Sequence, residues 1–84
     1  MHEWLLQARS RLAGSVGEAG AAYDLTEDEV GQLLELARVA AHESGQRTNA
    51  PLICYLVGLA RGRHPERSVG ELVEGVTGNR RESR

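Results

Sequence analysis

Phenylalanine and lysine are absent from this 84-residue sequence, and cysteine and tryptophan occur once each. The lone Cys54 excludes an intrachain disulfide and a zinc site built from several cysteines. The aromatic residues are Trp4, Tyr23 and Tyr55. Because aromatic volume is so scarce, the core has to be built from Leu, Val, Ile and Ala, which favours closely packed helices.

The basic residues are all arginine, and GC-rich codon usage is the simplest explanation for this bias. Ten basic residues stand against twelve acidic ones, which gives a net charge of −2. Since proteins that bind nucleic acids do so largely by neutralising phosphates, this balance argues against a nucleic-acid partner.

Long hydrophobic runs are also missing. No apolar segment approaches the roughly 20 residues that span a bilayer, so no membrane partner is expected. The segment from 4 to 12 is interrupted by Gln7, Arg9 and Arg11, which predicts no signal peptide and a cytoplasmic protein. A chain this short buries only about 60% of its unfolded surface, so a deep cleft would need a second chain. We expect one helical domain over residues 1–79 and a frayed polar tail over 80–84.

Two helices are predicted in the first half of the chain. The first should run from His2 to Ala13, followed by a glycine-rich loop over 14–24 in which residues 18–23 could form one helical turn. The second begins at a capping box formed by Thr26 and Glu29, and Gly45 suits a left-handed C-terminal cap. An apolar stripe marks its inner face: Val30, Leu33, Leu34, Ala37 and Ala41.

Two more helices follow in the second half. Asn49 is the predicted N-cap of the third, which accepts Pro51 in its first turn. This helix is apolar over much of its circumference, which is typical of the most buried helix. Gly58 inside this helix lowers helix propensity by about 1 kcal/mol relative to alanine. We therefore expect the backbone of a neighbouring helix to approach closely there. The fourth helix opens at a capping box, Ser68–Glu71, and should stop at residues 78–79. The predicted fold is an all-α small bundle of about four helices.

The joined pattern of the second and third helices resembles a known family. Its pieces are LLELARVAAH (residues 33–42), Arg47, APL (50–52) and LVGLA (56–60). They resemble a small bacterial helical domain of unknown function, found alone or fused to molybdenum-cofactor guanylyltransferase domains, which attach a guanine nucleotide to molybdopterin. The resemblance covers about residues 3–76, with a longer connection over 14–24. It implies a biosynthetic context and no catalytic mechanism.

The corner between the second and third helices holds the first candidate site, formed by His42, Arg47 and Asn49. The positive end of the third helix dipole beside Arg47 would suit an anion such as phosphate. The commoner alternative is that His42 and Arg47 interact with the last carbonyls of the second helix.

A second basic cluster follows the third helix: Arg61, Arg63 and Arg67, with His64 among them. Such a cluster could bind a nucleotide or an acidic partner. More often, arginines of this kind are a solvated surface that complements a helix C-terminus.

Catalysis has little support in the sequence. The acidic residues at 27–29 are consecutive on a helix, so they point in different directions. Cys54 lies in the apolar third helix, where a thiol is usually inert packing. The histidines have no metal-ligand spacing, and no glycine-rich phosphate loop follows a strand. We therefore predict no metal site and no cofactor, and favour a protein that is not an enzyme.

Three functional hypotheses remain. The first is a noncatalytic binding or interaction module, accessory to molybdenum-cofactor nucleotidyl transfer in the context that the resemblance implies. The helices carry more apolar stripe than 84 residues bury easily, so its partner would be a second copy in a homodimer or a protein such as a nucleotidyltransferase. The expected contact surfaces are the corner from His42 to Pro51 and the turn that carries Arg61, Arg63 and Arg67. The alternative is a small anion- or nucleotide-binding subunit that uses His42 and Arg47 once a partner chain completes it. A DNA-associated protein is least favoured, because the net charge is negative and the fourth helix is acidic.

Overall fold

A computed structural model describes the backbone of residues 2–82 and the side chains as far as residue 78. In this part of the chain the regular elements are four α-helices and one short 3₁₀-helix. They are α1 (Glu3–Ser15), the 3₁₀-helix (Gly20–Tyr23), α2 (Glu27–Ser44), α3 (Asn49–Arg63) and α4 (Val69–Glu82). The predicted all-α fold with about four helices is confirmed. The chain divides near residue 30 into two compact units.

The first unit consists of α1 and the 3₁₀-helix that returns against it. The Nδ1 atom of His2 accepts a hydrogen bond from the backbone N–H of Trp4 at 3.0 Å, which caps the start of α1. The helix continues through Gly14 to Ser15, two residues beyond the predicted end, because a helical glycine costs only about 1 kcal/mol. Gly17, with φ of 75°, then turns the chain.

Close contacts hold the 3₁₀-helix to α1. Ala13 is fully buried, and the Arg9 guanidinium pairs with the Asp24 carboxylate. A Cβ added at Gly20 would lie 3.0 Å from Ser10 Oγ, so this glycine marks a close approach. The helical turn that the sequence allowed within residues 18–23 is confirmed as the 3₁₀-helix.

The second unit has a small aliphatic core. Its buried residues come from three helices: Leu36 of α2, Val57 of α3, and Val69 and Val73 of α4. Partly buried side chains pack around them: Leu33, Ile53, Cys54 and Leu72. None of these core residues is aromatic, as the composition predicted.

Both predicted capping boxes are present. The N–H of Glu29 donates to Thr26 Oγ1 at 3.1 Å, and the N–H of Thr26 donates to the Glu29 carboxylate at 2.9 Å. Ser68 and Glu71 exchange the same two bonds at 3.0 and 2.8 Å. Gly45, with φ of 71°, has the left-handed conformation expected after α2.

The predicted N-cap of α3 is wrong. Thr48 precedes the helix with φ of −66° and ψ of −17°, and no side-chain bond caps this end. The N–H groups of Asn49 and Ala50 donate to the carbonyls of Gln46 and Arg47 at 3.0 and 3.1 Å. Because this turn leads directly into α3, the backbone is already helical where an N-cap would be extended.

Two glycine predictions also need correction. An added Cβ at Gly58 would meet no described atom within 4 Å, so the expected close approach is not there. At Gly70, by contrast, a Cβ would lie 2.8 Å from the Nε2 atom at the end of the Gln32 side chain. The backbone of α4 continues through Gly78 and the predicted stop to Glu82. The frayed tail stays a prediction, and residues 83 and 84 lie outside the described part.

Candidate interaction surface

Helix α3 has apolar side chains on two opposite faces. Residues 49–60 carry no charge, and Val57 belongs to the core. The opposite face carries four large apolar residues that are 44–65% exposed: Leu52, Tyr55, Leu56 and Leu59. Their spacings of three, four and seven residues place them in one row, which we call the outer stripe. The prediction that α3 is the most buried helix is therefore wrong for this face.

The outer stripe is unusual for a helix in water. A surface helix normally carries one apolar face, and a helix that is apolar all round is normally buried. Fully burying a leucine is worth about 1.5–3 kcal/mol relative to leaving it exposed. Single exposed apolar residues need no explanation, but a contiguous row of four typically marks a site of interaction.

An open groove of about 500 Å³ runs beside the outer stripe. Residues from all three helices of the second unit line it: Ala40, Glu43, Ser44, Asn49, Leu52, Ile53, Leu56 and Val76. We call this space the α3 groove. Its middle is aliphatic, and its polar residues come from the C-terminal end of α2 and the start of α3.

The polar end of the α3 groove is formed by the last turn of α2 and by Asn49 at the start of α3. Ser44 Oγ donates to the Ala40 carbonyl at 2.6 Å and accepts from the N–H of Gln46 at 3.2 Å, which closes the C-terminus of α2. The last carbonyls of a helix carry partial negative charge, and Glu43 adds a carboxylate to the same end.

The residues of the first predicted site differ in their position relative to the α3 groove. Asn49 lines the α3 groove. His42 is exposed, and at about 200° around α2 from both Ala40 and Ser44 it lies on the far side of that helix from the groove. Arg47 is exposed in the turn and does not line the groove.

The backbone at the start of α3 has few donors left for an anion. The N–H groups of Asn49 and Ala50 already donate to the turn carbonyls, and Pro51 has no N–H. Anion binding at the corner between α2 and α3 stays a prediction. The Arg47 side chain would have to supply most of the electrostatic attraction for the anion.

The arginines of the second predicted cluster have different surroundings. Arg61 Nη1 donates to the Pro65 carbonyl at 2.6 Å and so closes the turn after α3. Arg63 is exposed and follows Leu59 by four residues, so it extends the outer stripe by one turn. Arg67 is exposed in the turn before α4.

Cys54 is packed on the inner side of α3. Its Sγ lies 3.7 Å from the Leu33 carbonyl oxygen, and burial raises the pKa of the thiol. A raised pKa keeps the thiol protonated, and the protonated form is a poor nucleophile. Among the side chains that the structure describes, which end at residue 78, there is no group of three or more His, Cys, Asp or Glu residues that could hold a metal ion. The helices of the described part are too short or too polar to cross a membrane.

Sequence reasoning missed the outer stripe because it interpreted the apolar circumference of α3 as burial. Two signals could have indicated it. Residues 49–60 lack any charge, and the predicted neighbours each present only one apolar face, so they cannot cover a helix on every side.

Comparison with known proteins gives a family. The chain belongs to the family described as Domain of unknown function (DUF6457), which matches residues 1–83. The resemblance to a small domain of unknown function is thereby confirmed. No curated protein and no solved structure matches the chain.

Proposed function

We propose that this chain is a noncatalytic interaction module that binds another protein chain through the outer stripe and the α3 groove. The proposal depends on α3 being apolar on two opposite faces. Val57 packs into the core on one face, and on the other face the residues of the outer stripe are 44–65% exposed. Covering this face by a partner would remove an apolar surface that water disfavours.

The shape of the surface favours a protein over a small ligand. Sites for small molecules are concave and bury most of the ligand. The α3 groove is open, and the outer stripe beside it extends for about 10 Å along the helix axis. Helix recognition commonly uses apolar anchors at positions i, i+3, i+4 and i+7, which is the spacing from Leu52 to Leu59.

The family resemblance supports a more specific version. In this version the chain acts in the bacterial cytoplasm as an accessory to molybdenum-cofactor nucleotidyl transfer, and its partner is a nucleotidyltransferase. The support is the pattern over residues 33–60 described above, together with the association of similar domains with guanylyltransferases. The surface properties of α3 neither require nor oppose this partner.

A small anion- or nucleotide-binding subunit, completed by a partner chain, is the second candidate. The exposed Arg47 beside the positive end of α3 favours it. Titration with inorganic phosphate, followed by amide NMR, tests this candidate. Shifts at Arg47 and Leu52 would support it, and unchanged resonances at both would rule it out.

Site-directed photo-crosslinking in the cell of origin tests the interaction module. A photoreactive phenylalanine analogue replaces Tyr55 in the outer stripe, and a matched variant carries it at Leu34 of α2, which is 66% exposed. We expect a discrete crosslinked species from position 55 and none from position 34. A chain that stays uncrosslinked at position 55 would overturn the proposed function.

Mass spectrometry of the crosslinked species identifies the partner. A nucleotidyltransferase would support the accessory role in cofactor synthesis, and a second copy of the chain would support a homodimer. Any other protein crosslinked at position 55 and not at position 34 would support the module and contradict the cofactor context.

A further inference from the structure

We draw no further inference here: the strongest candidate, the outer stripe with the α3 groove beside it, belongs to the proposed interaction surface, and nothing in the structure shows what covers it.

Discussion

Gly45 precedes α3 and Gly58 lies within it. Both glycines are exposed, but their backbone conformations differ in how well they accept a side chain. Gly58 lies in a regular helix with open space where a Cβ would be. Gly45 has a positive φ of 71°, which side chains other than glycine adopt at a cost. The sequence indicated the role of Gly45 correctly because a left-handed cap is a local feature. The role of Gly58 was wrongly predicted because helix contacts depend on the tertiary structure.

Alanine substitution should therefore act in opposite directions at these two positions. We expect Gly58→Ala to raise the free energy of unfolding by about 0.5–1 kcal/mol, and Gly45→Ala to lower it by about 1 kcal/mol. Urea denaturation of dilute protein measures both changes. A loss of stability at Gly58→Ala would mean that another surface lies against this part of α3.

Cys54 gives a pH-dependent prediction at the same scale. Because burial raises the pKa of its thiol, the folded chain has less thiolate than an unfolded chain at the same pH. Iodoacetamide should label the folded protein more slowly than the urea-unfolded protein, and the labelling rate should rise at a higher pH when the chain is folded. If the folded and unfolded chains were labelled at the same rate and showed the same pH dependence of labelling, the thiol would not be packed against the core.

At the scale of elements, the helix starts show what local sequence determines. The capping boxes before α2 and α4 were predicted from residue type and spacing alone, because each box is closed by residues three positions apart. The start of α3 was predicted one residue late and with the wrong cap. Its entry depends on the turn over residues 46–50, whose backbone bonds leave no signature in residue type.

Removing one cap should measurably weaken the second unit. Ser68→Ala deletes the hydroxyl that accepts the N–H of Glu71, so we expect a loss of about 1 kcal/mol in unfolding free energy. Ser68→Asp keeps an acceptor at the same place and is the matched control. Chemical denaturation of both variants checks the prediction, which would be contradicted if alanine and aspartate had the same effect.

The candidate surface was predictable only in part. Asn49 was expected at a site and does line the α3 groove, but His42 lies on the far side of α2. The periodic pattern indicated that α3 is apolar on several sides. It could not indicate which of those sides the neighbouring helices cover, since that depends on how three helices pack around Val57.

At the scale of the whole molecule, the amount of apolar surface exceeds what a chain of 84 residues buries easily. Short chains leave a large share of their surface exposed, and association with another chain is a common way to cover it. In this protein the exposed large apolar residues of α3 form a continuous row. We therefore expect another chain to cover this row in solution.

Solvent paramagnetic relaxation of leucine methyl groups measures whether the outer stripe is covered. A soluble gadolinium complex is added to the methyl-labelled wild-type protein in a lysate of its cell of origin, so that another protein as well as a second copy can cover the stripe. Leu34, which is 66% exposed on α2, serves as the internal reference for an uncovered leucine. We predict that the methyl groups of Leu52, Leu56 and Leu59 are broadened clearly less than those of Leu34. Equal broadening of all four residues would mean that the outer stripe is open to water, and would contradict the proposed interaction module.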